Sequence, residues 1–96
     1  MALKDLPLLD KDWEFPAKVK EVARIQTKSG NPEQHYVVGR SNFSVFYAGQ
    51  GRGSPSLIID GRATWDKGQG CFISNERTYR LIHMDAIKSY DTVETF

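Results

Sequence analysis

"AKVKEVARIQTKSGNPEQHYVVGR", Ala17 to Arg40, is the stretch on which the fold turns. Its first half can be read in two ways. As a helix, residues 16–28 would have Pro16 in the first turn and Gly30 just past the end, with Val19, Val22, Ala23 and Ile25 on one face. As a strand, Val19, Ala23 and Ile25 share a face with Glu21, and Lys18, Lys20, Arg24 and Lys28 line the other. The strand is preferred. Val19, Val22, Ile25 and Thr27 are β-branched and suit a pleated surface. Ser29-Gly30-Asn31-Pro32 then supplies turn chemistry directly before a second β-rich run, His35–Arg40. A helix over 16–28 would instead make the domain α+β.

Downstream, the same alternation recurs. Ser41-Asn42 turns the chain into Phe43–Ala48. Leu57–Trp65 follows as one strand, bent or bulged at Gly61, where no side chain hinders it. "DKGQG" leads into Cys71–Ser74, "NER" into Thr78–His83, and "MDA" is short enough for one helical turn before a last strand at Ile87–Val93. Closely spaced turns without a long helix predict an all-β fold: a small single-domain barrel, SH3-like, Sm-like or OB-like, of five to six strands. The segment "TYRLIHMDAIKSYD" (Thr78–Asp91) resembles the way SH3-like and Sm-like barrels end, with a strand, a tight turn and a final strand. The resemblance is one of strand pattern. The RNA-contacting residues of the Sm-like family do not appear at matching positions. Residues 1–16, whose apolar side chains fit neither a strand nor a helix period, are expected to form an N-terminal arm packed across an open edge or serving as a docking peptide. Residues 17–96 form the barrel domain.

Composition sets the limits. Ninety-six residues suit one core, and 40% hydrophobic with 26% charged residues is ordinary for a globular domain. Thirteen basic against 12 acidic residues give a net charge of +1, which by itself points to neither nucleic acid nor membrane. The charge is unevenly spread, with +3 over residues 18–40 between weakly acidic ends. Cys71 stands alone, so no internal disulfide is possible. With Asp5 and Pro7 interrupting the only N-terminal apolar run, a reducing, cytoplasmic location is expected. No apolar run approaches the ~20 residues a membrane helix needs.

The glycine-rich stretch "AGQGRGSPS" (Ala48–Ser56) lacks the Gly-Lys-Ser/Thr of a phosphate loop and precedes a strand pattern rather than a helix. It is expected to be a plain connection whose Arg52 could reach an anion. No Cys-x-x-Cys, paired His or calcium-loop pattern is present, so neither metal nor cofactor is expected. His35 and His83 could form an acid–base pair, but each lies at a strand end, where solvent exposure is usual, and no catalytic set is expected.

Single-stranded nucleic-acid binding needs cations for phosphates and aromatic faces for bases. The cations would be Lys18, Lys20, Arg24, Lys28, Arg40, Arg52 and Arg62, and the stacking faces Tyr36, Phe46, Tyr47 and Trp65. Phe46 and Tyr47 are adjacent and cannot both point inward from one regular strand. The sequence thus predicts a non-enzymatic binding module with single-stranded nucleic acid as its ligand. The alternative is a protein-binding adaptor or inhibitor, of viral or mobile-element origin, acting through the arm, a sheet edge or the glycine-rich loop. Self-association through an edge strand fits either.

Overall fold

The computed structural model describes residues 3–9, 14–41, 56–75 and 77–96. Among these, nine strands are present: β1 (Leu8–Leu9), β2 (Ala17–Lys18), β3 (Glu21–Thr27), β4 (Glu33–Ser41), β5 (Ser56–Asp60), β6 (Thr64–Asp66), β7 (Cys71–Ser74), β8 (Tyr79–His83) and β9 (Ile87–Thr95). Helical structure among the described residues is limited to two 3-10 turns, Leu3–Asp5 and Met84–Ala86. The ambiguous stretch is therefore extended. It is also split: the chain leaves one sheet after Lys18 and enters another at Glu21. At the crossing, the Val19 amide donates to the Phe72 carbonyl in β7 (2.9 Å) and the Lys20 amide to the Val37 carbonyl in β4 (2.8 Å).

The larger sheet has the order β8-β5-β4-β3-β9, all antiparallel, and β1 adds to β4 in parallel beyond the first residue of β3. The smaller sheet is an antiparallel β2-β7-β6. The expected closed barrel does not form. β8 and β9 are the two edges of the larger sheet and do not pair with each other. They are nevertheless joined by one 3-10 turn, so His83 and Ile87 lie within about 14 Å. Five flat strands would put these edges about 19 Å apart, so the sheet must curl between them.

That side holds Leu6, Ala23, Ile25, Val37, Leu57 and Ile59, all buried, with Leu3, Ile82, Met84, Ile87 and Tyr90 packed around them. Glu21 shares the face with Ala23 and Ile25, as the strand period requires, and is fully buried. Its Oε2 accepts hydrogen bonds from the Tyr90 hydroxyl (2.6 Å) and the Thr92 hydroxyl (2.9 Å) on β9. Burial, that hydrogen bond and the nearby carboxylate charge all raise the Tyr90 pKa, so the phenol stays protonated.

The N-terminal residues enter this core. Leu6 is 2% exposed, the Pro7 carbonyl accepts from the Arg40 amide (2.9 Å), and Arg40 Nε donates to the Leu6 carbonyl (3.1 Å). The close approach needs Gly39: a Cβ there would stand 2.7 Å from the Pro7 carbonyl oxygen.

β5 is buried at all five positions. Leu57 and Ile59 face the core, so Ser56, Ile58 and Asp60 face the opposite side, where the small sheet meets Asp60 through Ser74. Leu57–Trp65 is thus not one bulged strand. The run stops at Asp60, turns at Gly61-Arg62 and resumes as β6 in the other sheet. The Asp66–Gly70 turn then carries the chain into β7, with the Asp66 carboxylate accepting from the Gly68 amide (2.8 Å) and Gly70 at φ +66°.

Candidate nucleic-acid interface

The two sheets are riveted at Asp60. Its Oδ2 accepts from the Ser74 hydroxyl of β7 (2.6 Å) and the Thr78 hydroxyl ahead of β8 (2.6 Å); its Oδ1 accepts from the Arg62 amide (2.7 Å). Burial opposes ionisation, but the Ser74 and Thr78 hydroxyls and the Arg62 and Asn75 amides outweigh it and hold the carboxyl below its ordinary value. A fully buried carboxylate with this many donors stays charged and fixes the Gly61-Arg62 turn against both sheets.

One cross-strand step away, the seam between the sheets fills with rings. Tyr36 sits opposite Asp60 on β4, and Trp65 sits opposite Phe72 in the β6–β7 pair. Phe72 is the hub: its ring lies 5.0 Å from Tyr36 (tilted 40°), 5.0 Å from Trp65 (edge-on, 74°) and 5.4 Å from Phe96 (48°). These separations and tilts suit aromatic pairs. Phe96 is held there by its own amide, which donates to the Lys20 carbonyl (2.9 Å). The small sheet ends at β6, so the outer rings stay open to solvent: Trp65 is 54% exposed and Phe96 49%. Beside them, a cleft of about 270 Å³ opens between Val22, Gln34, Tyr36, Gly61, Val93 and Glu94, with His35 also lining it.

The predicted residues fall into three groups. Tyr36 and Trp65 come together in the seam, and Lys20 adjoins Phe96 through the backbone. Lys18 is exposed on the small sheet, and Arg24 and Lys28 are exposed on β3 and at its end, so the basic residues do not form one stripe. Arg40 is half-buried, with its Nε committed to the Leu6 carbonyl. Arg62 is exposed on the turn that Asp60 fixes. Arg52, Phe46 and Tyr47, with the glycine-rich stretch, lie outside the described residues. Phe72 and Phe96 were missed. Phe72 could have been found by pairing strands across the "DKGQG" turn, which puts it opposite Trp65; nothing local marks Phe96.

The two histidines do not meet. His83 pairs with Ser56 at one end of β5, and His35 lies one position beyond the Tyr36–Asp60 pair at the other end, about 17 Å along the strand. His35 is also not solvent-facing, because its side of β4 is the core side: it is 9% exposed, and its Nδ1 has no hydrogen-bond partner among the described residues. Its Nε2 is 3.5 Å from Glu33 Oε2. Burial, then the positive charge of Arg80, lower its pKa against the opposing pull of Glu33, so the neutral imidazole is favoured. Cys71 is half-buried at the start of β7. Among the described residues, no three His, Cys, Asp or Glu side chains converge as metal ligands, and no helix is long and apolar enough to cross a membrane. Compared with protein-family models, curated proteins and solved structures, the chain matches none.

Proposed function

We propose that this chain is a non-enzymatic binding module that takes single-stranded nucleic acid across the seam of its two sheets. The observation that carries this is the open ring cluster, in which Trp65 and Phe96 keep about half their surface in water while resting on Phe72. A small domain has strong reason to bury such rings, since each hides a large apolar area. Open rings next to a cleft that reaches Gly61, the neighbour of the exposed Arg62, offer bases a stacking face and phosphates a cation. The closing β8–turn–β9, which resembles the end of an SH3-like barrel, fits a scaffold of this kind.

The test is titration of a dT or rU 12-mer at low salt, read by fluorescence anisotropy. Saturable binding is expected, weakening steeply as salt rises. Trp65→Ala should weaken it about tenfold, since one base stack contributes roughly 1–3 kcal/mol. No complex tighter than about 100 μM, the weak limit of non-specific binding, would overturn the proposal.

A protein-binding role keeps one specific support: β9 is a nine-residue edge strand, mostly exposed, with β3 as its single sheet neighbour among the described residues. The N-terminal segment is a poor free docking peptide, because Leu6 lies in the core.

A further inference from the structure

A second cleft, of about 330 Å³, lies on the other side of Gly61, between Arg62, Arg77, Thr78 and Arg80. All three arginines are exposed, and none forms an ion pair among the described residues. Three guanidinium groups around one opening, with no acidic partner among the described residues, repel one another, so the arrangement favours an anion. The nearest buried acid cannot serve. Asp60 is consumed by the Ser74 and Thr78 hydroxyls and the Arg62 amide. Instead it acts as the frame, because those bonds fix both the Arg62 wall and the Arg77-Thr78 wall of the cleft. Backbone bonds from Thr78 (3.1 Å) and Tyr79 (3.2 Å) to the Asn75 carbonyl tighten the second wall. Arg80 projects from β8 opposite Ile59.

Planar guanidinium forks match the oxygens of a phosphate, and several on one opening match it better than isolated surface charges do. Gly61 lines both this cleft and the one beside Tyr36, so the two adjoin at that turn. We infer that the Arg62–Arg77–Arg80 cleft is a phosphate subsite, taking a backbone phosphate of the strand whose base lies on the Tyr36–Trp65–Phe72–Phe96 surface. It rests on the proposed nucleic-acid reading and adds to it the arginines that contact the backbone. Arg77 and Arg80 thus become phosphate contacts. Gly61 becomes the saddle over which the strand passes.

Three probes test this on the full chain: inorganic phosphate, a dT 12-mer and poly-glutamate. Phosphate should shift the Nε–Hε NMR signals of Arg62, Arg77 and Arg80 saturably; no shift overturns the subsite. The double variant Arg77→Ala/Arg80→Ala should weaken the 12-mer at least tenfold and make the plot of log affinity against log salt shallower, by about 0.7 per lost contact. Trp65→Ala should weaken the 12-mer while leaving that slope and the phosphate shifts unchanged. Gly61→Leu provides a second variant that should fold. A Cβ there meets nothing within 4 Å and the backbone φ is not positive. It should weaken the 12-mer while phosphate still titrates the arginines.

If Trp65→Ala abolishes 12-mer binding and the arginine pair does not matter, the subsite is overturned and the ring surface stands. If phosphate titrates the arginines but the 12-mer does not bind, the nucleic-acid assignment of the cleft is overturned. Poly-glutamate binding as tightly as the 12-mer, with the same loss in the arginine variant, also overturns it in favour of an acidic protein.

Discussion

The two faces of β5 are both buried, yet they are covered in different ways. On the concave side Leu57 and Ile59 meet aliphatic neighbours from β3, β4 and the N-terminal turn, and the half-buried Tyr90 packs against them while donating to Glu21. On the other side Asp60 is bonded to a sheet of three short strands that ends too soon to cover the rings beside it. The first face is closed by apolar area, the second by one hydrogen-bonded carboxylate with an aromatic fringe. The contrast sets the apolar closure of one face apart from the polar and aromatic closure of the other, and the proposed binding surface lies on the second. What is lost on one side should be read in denaturation, and what is lost on the fringe should be read in binding.

The largest effect should come from the concave side. Ile59→Ala should lower unfolding free energy by about 4 kcal/mol, the upper range for a fully buried aliphatic truncation. A chemical-denaturation midpoint near that of the parent would contradict the assignment of the core. Asp60→Ala should lower it by about 3 kcal/mol, because the buried hydroxyls and amides lose their acceptor. It should also blur the comparison, disturbing the Gly61 turn and therefore binding. Gly39→Ala, which pushes against the Pro7 carbonyl, should lower stability by about 2 kcal/mol through loss of the N-terminal segment. Protease cleavage within residues 3–9 should then speed up; unchanged protection would show that the close approach is not needed.

A smaller effect follows pH. Both Asp60 and His35 have folded pKa values below their unfolded ones, so for both the unfolded chain binds more protons as the solution is acidified. The His35 contribution is intact above its unfolded value of about 6.5 and is lost as pH falls through the lower folded value. The Asp60 contribution is intact above about 4 and is lost below that. Stability measured from pH 8 downward should therefore fall in two stages, and His35→Gln should remove the first. A single decline beginning near pH 4 in the parent protein would show that His35 does not contribute. The smallest of the side-chain truncations, Trp65→Ala, should lower stability by no more than about 2 kcal/mol, since half of the ring is already in water. A larger loss would make the seam a core feature and weaken the case for it as a binding face.

Much of the fold could be read from local pattern, and most of the site could not. The face shared by Glu21, Ala23 and Ile25 follows from the two-residue period alone, as do β7, β8 and the turn at Met84–Ala86. Leu57–Trp65 misled because its apolar pattern runs straight through Gly61, while the change of sheet is enforced by Asp60 bonding to Ser74 and Thr78, 14 and 18 residues away. Phe72 and Trp65 could be paired across one hairpin. Phe96, Tyr36 and Val22 reach them only through long-range strand pairing, and Arg77 and Arg80 join Arg62 only because β8 lies next to β5.

By itself, the sequence determined an extended, turn-rich chain with one core's worth of aliphatic residues, because side-chain alternation and turn chemistry act within a few residues. Only the tertiary structure decided that the chain makes two sheets instead of a closed barrel. It also decided which rings remain in water and which three arginines share a cleft. Those outcomes depend on which strands become neighbours, and that is set by burial and hydrogen bonding between residues far apart along the chain.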